Sequence, residues 1–262
     1  MSHHRTHPAD VPGTRVRRLA LAVLAVVTAV TGLGVQPAAA GTTPVFLPGP
    51  APDDWSGPMG MSHTISVSGT YVPLAMGCGD PAPERRILWY AAGTASDALW
   101  TNLTLPDTGT PTYTSTTVRV DGTFQPFVGD FDGDACDDIF WYAPGTATDV
   151  IWYFNTDGTH TSVPVRVDGT FTPVVGNWVP TTVADEILWY APGTAADRWW
   201  SFELGRGTPT SVAGTQISGT YRPIRGIDRS TIIWASNSGS GSSIWSRVTS
   251  STAPTTAPIA LP

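Results

Sequence analysis

The chain has 262 residues, no lysine, and 21 acids against 14 arginines, for a formal charge of −7. Nucleic acid and anionic membrane surfaces both need a basic footprint, so this balance excludes them as partners. Glycine (27), proline (24) and tryptophan (11) are abundant and no long amphipathic helical pattern follows residue 40, so the composition reads as short strands joined by turns.

The chain opens on an export signal. Arg15, Arg17 and Arg18 supply a positive region, Leu19 to Val30 an apolar run, and Ala38-Ala39-Ala40 the small residues a signal peptidase needs. The run is short for a membrane anchor, and the context of Arg17-Arg18 fits a twin-arginine signal poorly, so the general secretory route is expected. Cleavage after Ala40 removes Asp10 and four arginines and leaves a mature chain near −10. No later segment approaches membrane-spanning length, so a secreted, extracellular protein without membrane insertion is expected.

Residues 41–262 are organised by internal repetition. The segment Phe46-Leu47-Pro48-Gly49 through Asp53 lines up with Tyr142-Ala143-Pro144-Gly145 through Asp149, which marks a partial unit near 45–68. Fuller units follow near 69–121, 122–168, 169–218 and 219–262. Each opens on Gly-Thr-aromatic-x-Pro, at Gly69, Gly122, Gly169 and Gly219, spaced 53, 47 and 50 residues apart. Each continues with Ile87-Leu88-Trp89-Tyr90, Ile139-Phe140-Trp141-Tyr142, Ile187-Leu188-Trp189-Tyr190 or the weaker Ile232-Ile233-Trp234-Ala235, then with Trp100, Trp152, Trp200 or Trp245.

The second unit shows the pattern inside one repeat. Strands are expected over 123–130, 138–143, 149–154 and 161–167, with Pro144-Gly145 suited to a type II turn. Four short strands in about 50 residues is the size of one propeller blade. Ile139 to Tyr142 are apolar or aromatic in succession, so both faces of that strand must be covered, whereas a solvent-facing strand would alternate. Sheets stacked between neighbours provide that cover; a β-sandwich leaves the period unexplained. The expected fold is therefore an all-β propeller of four-stranded antiparallel blades, five with an incomplete first. Four blades, or a ring finished by a second chain, are the alternatives.

Between the first two strands of the second unit lies Asp130-Phe131-Asp132-Gly133-Asp134-Ala135-Cys136-Asp137-Asp138. Carboxylates at positions 1, 3, 5 and 9, with a carbonyl at 7, offer a hard cation the oxygen shell it prefers; the alternative is a solvated acidic turn. The stretch from Pro126 to Gly145 resembles the FG-GAP/VCBS repeat of integrin α-subunit propellers and secreted bacterial proteins. The resemblance implies one structural Ca²⁺ held by Asp130, Asp132, Asp134, the Cys136 carbonyl and Asp138. Ala135 departs from the glycine usual at position 6, where positive φ is often needed. The matching loops of the other units have lost the pattern: Asp80 and Glu84, Asn177-Trp178-Val179-Pro180, and Ile227-Asp228-Arg229-Ser230.

Cys78 and Cys136 are the only cysteines, and they fall in equivalent loops of adjacent units. In an oxidising compartment this predicts a disulfide between neighbouring blades.

No catalytic constellation stands out. His63 and His160 sit in no nucleophile motif, and Asp137-Asp138 and Asp185-Glu186 read as remnants of the metal loop rather than a glycosidase pair. Trp89, Trp141, Trp189 and Trp234 hold one repeated position, as core residues do. Tyr90, Trp178 and Trp199 break the pattern or lie near strand ends, which makes them candidates for an exposed ligand site. The expectation is a non-catalytic binding or adhesion module whose partner is an extracellular protein or glycan. A carbohydrate-binding lectin is the runner-up and a secreted hydrolase the third reading.

Overall fold

A computed structural model describes residues 65–79, 84–106, 109–178, 183–213, 216–225, 230–236, 241–246 and 255–258. They form four sheets, each of four antiparallel strands hydrogen-bonded in chain order. The first sheet comprises β1 (Val72–Cys78), β2 (Glu84–Tyr90), β3 (Asp97–Thr104) and β4 (Thr112–Val118). The second comprises β5 (Gln125–Gly129), β6 (Asp138–Tyr142), β7 (Asp149–Phe154) and β8 (His160–Val165). The third comprises β9 (Thr172–Gly176), β10 (Glu186–Tyr190), β11 (Arg198–Ser201) and β12 (Thr210–Ala213). The fourth comprises β13 (Tyr221–Arg225), β14 (Thr231–Ser236), β15 (Ser243–Ser246) and β16 (Thr255–Pro258).

Contacts run in sequence through the first strand of each sheet, β1 to β5, β5 to β9 and β9 to β13. This is a propeller-like repeat of blades, four among the described residues. The export signal and most of the partial unit near 45–68 lie outside the described residues. Every residue of β6 and of β10 is buried, as a strand covered on both faces requires.

The repeated motifs are the joints between blades. The hydroxyls of Tyr90, Tyr142 and Tyr190 donate to the carbonyls of Gly122, Gly169 and Gly219 in the next unit, at 2.9, 3.1 and 2.8 Å. The same hydroxyls accept the amides of Phe124, Phe171 and Tyr221. Glycine is required at the motif's head: Gly122 has φ +141°, and a Cβ there would sit 2.6 Å from the Phe124 ring. Each following tryptophan then packs against the preceding blade's tyrosine, with Tyr90–Trp141, Tyr142–Trp189 and Tyr190–Trp234 centroids 5.0, 5.1 and 5.1 Å apart. Such edge-on or tilted pairs contribute about 0.5–1.5 kcal/mol each beyond their burial.

A buried aspartate ties each of the first three blades internally. Asp97, Asp149 and Asp197 lie eight residues beyond Trp89, Trp141 and Trp189. Each accepts two backbone amides, Ala91 and Val120, Ala143 and Val167, Ala191 and Ile217. In the fourth blade the same position is Ser242, whose hydroxyl accepts the Ser236 amide.

Cys78 and Cys136 are disulfide-bonded across 58 residues. Around the bridge, Gly79 N–H donates to the Ala135 carbonyl and Asp137 N–H to the Gly77 carbonyl, both at 2.8 Å. The Asp137 carboxylate accepts the Gly77 amide at 2.7 Å. The end of β1 is thus laced to the loop that follows β5. Closing a loop of that length stabilises by about 4 kcal/mol in the chain-entropy account.

Candidate metal centre

The acidic loop leaves β5 at Gly129 and re-enters the sheet at Asp138. Asp130 folds the turn around its own carboxylate. Its Oδ1 accepts the amides of Gly133 (2.7 Å) and Asp134 (3.1 Å), and its Oδ2 that of Ala135 (3.1 Å). The turn needs left-handed backbone at Gly133 (φ +75°) and at Ala135 (φ +66°). So the alanine adopts the conformation for which glycine is usual. Asp138, fully buried, accepts the Phe131 amide at 2.9 Å and the Phe154 amide at 2.8 Å, pinning the loop to the end of β7.

Asp130, Asp132 and Asp138 each offer a carboxylate oxygen, and the three atoms lie within 4.8 Å of one another. Three buried carboxylates so close oppose one another's ionisation. Burial, assisted by the charges of Asp132 and Asp134, pushes Asp130 up to about 6. Burial, assisted by Asp132 and Asp130, pushes Asp138 up to about 9, although two amides favour its charged form. Asp132 is also raised, chiefly by burial, against the opposing pull of Arg206. A divalent cation offsets this cost, and an all-oxygen donor set suits a hard one. The residues present therefore fit a metal.

Of the residues expected to share the cation, three are brought together and Asp134 stands apart. Its Oδ1 accepts the Cys136 amide at 2.8 Å and its Oδ2 faces Arg206 at 3.1 Å. Cys136 contributes its sulfur to the disulfide.

Arg206 had no signal in the sequence beyond lying between two glycines. It reaches in from the β11–β12 turn of the next blade, donating through Nε to Asp132 Oδ2 at 2.9 Å. Its other nitrogens donate to Asp134, the Phe154 carbonyl and Asn155 Oδ1. Arg86 grips the same β7–β8 turn from the preceding blade, donating to the Asn155 and Thr156 carbonyls. Three residues before its tryptophan, Arg86 holds the strand position that Asp138 holds in the second blade.

Tyr90, Trp178 and Trp199, expected to be exposed, are not. They are 1%, 2% and 5% accessible, so none offers a ring to a ligand. The Tyr90 hydroxyl serves the blade joint, and Trp178 and Trp199 pack edge to face at 5.0 Å.

No protein-family model, no curated protein and no solved structure matches the chain.

Proposed function

We propose that the chain is a secreted, non-catalytic binding or adhesion module of the FG-GAP/VCBS kind, with one structural Ca²⁺ on Asp130, Asp132 and Asp138. The observation that carries this reading is the buried carboxylate triad at a corner joining two strands of one blade. When bound, the ion supplies charge neutralisation and cross-linking of that corner. Asp130 shapes the turn, Asp138 fastens it to β7, and Asp132 couples it through Arg206 to the third blade. Ca²⁺ is favoured over Mg²⁺ because irregular carboxylate geometry suits its larger, looser shell. The leader-like residues 15–40 and the disulfide beside the site support an oxidising, extracellular setting, where the partner is a protein or a glycan.

Extracellular calcium modules bind with Kd on the order of 10⁻⁴–10⁻³ M, so millimolar Ca²⁺ raises the stability of the folded state by mass action. Calorimetry with chelator and then with about 10 mM Ca²⁺, roughly ten- to a hundredfold above such a Kd, is expected to give a higher Tm with the ion. Asp132→Ala removes the increment. A wild-type Tm indifferent to Ca²⁺ overturns the calcium assignment.

A further inference from the structure

The β11–β12 turn of the third blade closes over the acidic corner of the second. Gly205 N–H donates to the Asp132 carbonyl at 3.4 Å, and the Tyr153 hydroxyl donates to the Gly207 carbonyl at 2.7 Å. Leu204 lies so close to Gly133 that a Cβ on the glycine would sit 2.7 Å from its methyl. Between these contacts Arg206 donates to Asp132 Oδ2 at 2.9 Å, to Asp134 Oδ2 at 3.1 Å and to the Phe154 carbonyl at 3.0 Å. Phe154 is thereby held from both sides, since Asp138 accepts its amide at 2.8 Å. Two of the three clustered carboxylates, Asp132 and Asp138, are joined by a circuit that runs through Phe154 and Arg206.

Asp130, Asp132, Asp134 and Asp138 bring four carboxylates to this corner. Arg206 is the one basic side chain paired with them among the described residues. The Asp132 side chain is only 3% exposed, so water and salt screen the pair weakly. A metal ion on the triad shares Asp132 with this guanidinium. Both are positive, so each weakens the other's hold on that carboxylate. The guanidinium is tethered and always charged, so the metal binds against it. The first blade also sets a fixed guanidinium in its corner: Arg86, at the strand position of Asp138, is 1% exposed and pairs with Glu84 at 2.7 Å.

We propose that Arg206 is the resident counter-ion of the acidic corner: it holds Asp132 when no metal is bound, and it sets the metal affinity by opposing the incoming ion. The proposal rests on the structural-metal reading and adds what tunes that site. It carries two consequences of opposite sign. Removing the charge destabilises the corner in chelator, because Asp132 and Asp134 lose their partner. The same change tightens Ca²⁺ binding, because the opposing charge is gone. A residue that only braced the site would weaken both.

The test is calorimetric titration of the full chain with Ca²⁺, beside melting in chelator. Arg206→Gln keeps an amide donor without the charge, and Arg206→Lys keeps the charge without the planar fork. Arg206→Gln is expected to lower the Kd for Ca²⁺ about tenfold and to lower the Tm in chelator. Arg206→Lys leaves the Kd near the wild-type value. Arg206→Met, which keeps the stem alone, shifts the Kd in the same direction as glutamine and takes its place if the glutamine variant does not fold. A Kd that is unchanged or raised without the charge, an unaltered Tm in chelator, or a lysine variant as tight as the glutamine one each overturns the proposal. Ca²⁺ binding by the wild type that Arg206→Gln weakens strikes this proposal alone. No response to Ca²⁺ in the wild type or in any variant strikes the calcium reading and this proposal together.

Discussion

The corner after the first strand is built from carboxylates in the second blade and around an indole in the third. After β5 the chain buries Phe131 against Phe202, 4.9 Å between centroids, and surrounds it with Asp130, Asp132, Asp134 and Asp138. After β9 it buries Trp178 against Trp199, and Asn177 stands where Asp130 does, its side-chain amide donating to the Ala184 carbonyl at 2.9 Å. One device is common to both. The carboxylate that opens the second strand accepts the amide of the buried aromatic, Phe131 to Asp138 at 2.9 Å and Trp178 to Glu186 at 2.7 Å. That carboxylate is therefore part of how the corner folds. The metal-type cluster arises only where Asp130 and Asp132 are added to it.

The comparison can be broken from either side. Trp178→Ala empties an almost fully buried indole and is expected to cost about 4 kcal/mol in urea unfolding, the range for truncating core tryptophans. The loss should be about the same with chelator and with Ca²⁺, because Trp178 packs on Trp199 and bonds Glu186 rather than a candidate ligand. A calcium-dependent loss would mean that the two corners are coupled. Asp138→Ala, measured in Ca²⁺, removes two amide acceptors and one candidate ligand, for about 3 kcal/mol. It should also erase the Ca²⁺ increment in Tm. If the increment survives, Asp138 is a structural acceptor only, as Glu186 is in the neighbouring blade.

What the sequence made legible is what repeats. The period and the covered second strand follow from patterns that each unit states again, and periodic patterns are the form in which packing is written locally; the disulfide follows from two lone cysteines placed in equivalent loops of that period. What it hid is what acts once. Arg206 and Arg86 reach across from neighbouring blades, and nothing near either residue marks its destination. The burial of Trp178 was hidden for a different reason. Measured from the glycine that ends the first strand, Gly176 or Gly129, Trp178 is the counterpart of Phe131, so it continues the pattern that it was expected to break. Trp199 likewise matches Ile151 and Leu99, opposite Leu188, Phe140 and Leu88, positions buried in all three blades. Register, which the strands fix and the loop lengths blur, was the missing coordinate. Three of the four expected carboxylates converge, whereas Asp134, the most exposed of them, accepts the Cys136 amide and pairs with Arg206 from the next blade.

The smallest effect tests how closely the acidic corner approaches its best form. Ala135 sits at φ +66° with its side chain exposed, so its methyl makes no packing contribution that glycine would forfeit. Its Cβ crowds the backbone in that conformation, at a cost of about 1–2 kcal/mol, which Ala135→Gly relieves. Glycine also gives the unfolded chain more freedom, which takes back about 0.4–1 kcal/mol. The balance is a gain of roughly 0.5–1 kcal/mol, expected in chelator and in Ca²⁺ alike. Because Ala135 N–H donates to Asp130 Oδ2, a relaxed turn should also hold that carboxylate more steadily and lower the Kd for Ca²⁺ modestly. Urea unfolding of the variant in both conditions, with a calcium titration beside it, reads all three quantities. A loss of stability in chelator would mean that the left-handed turn is not the conformation the metal-free corner adopts.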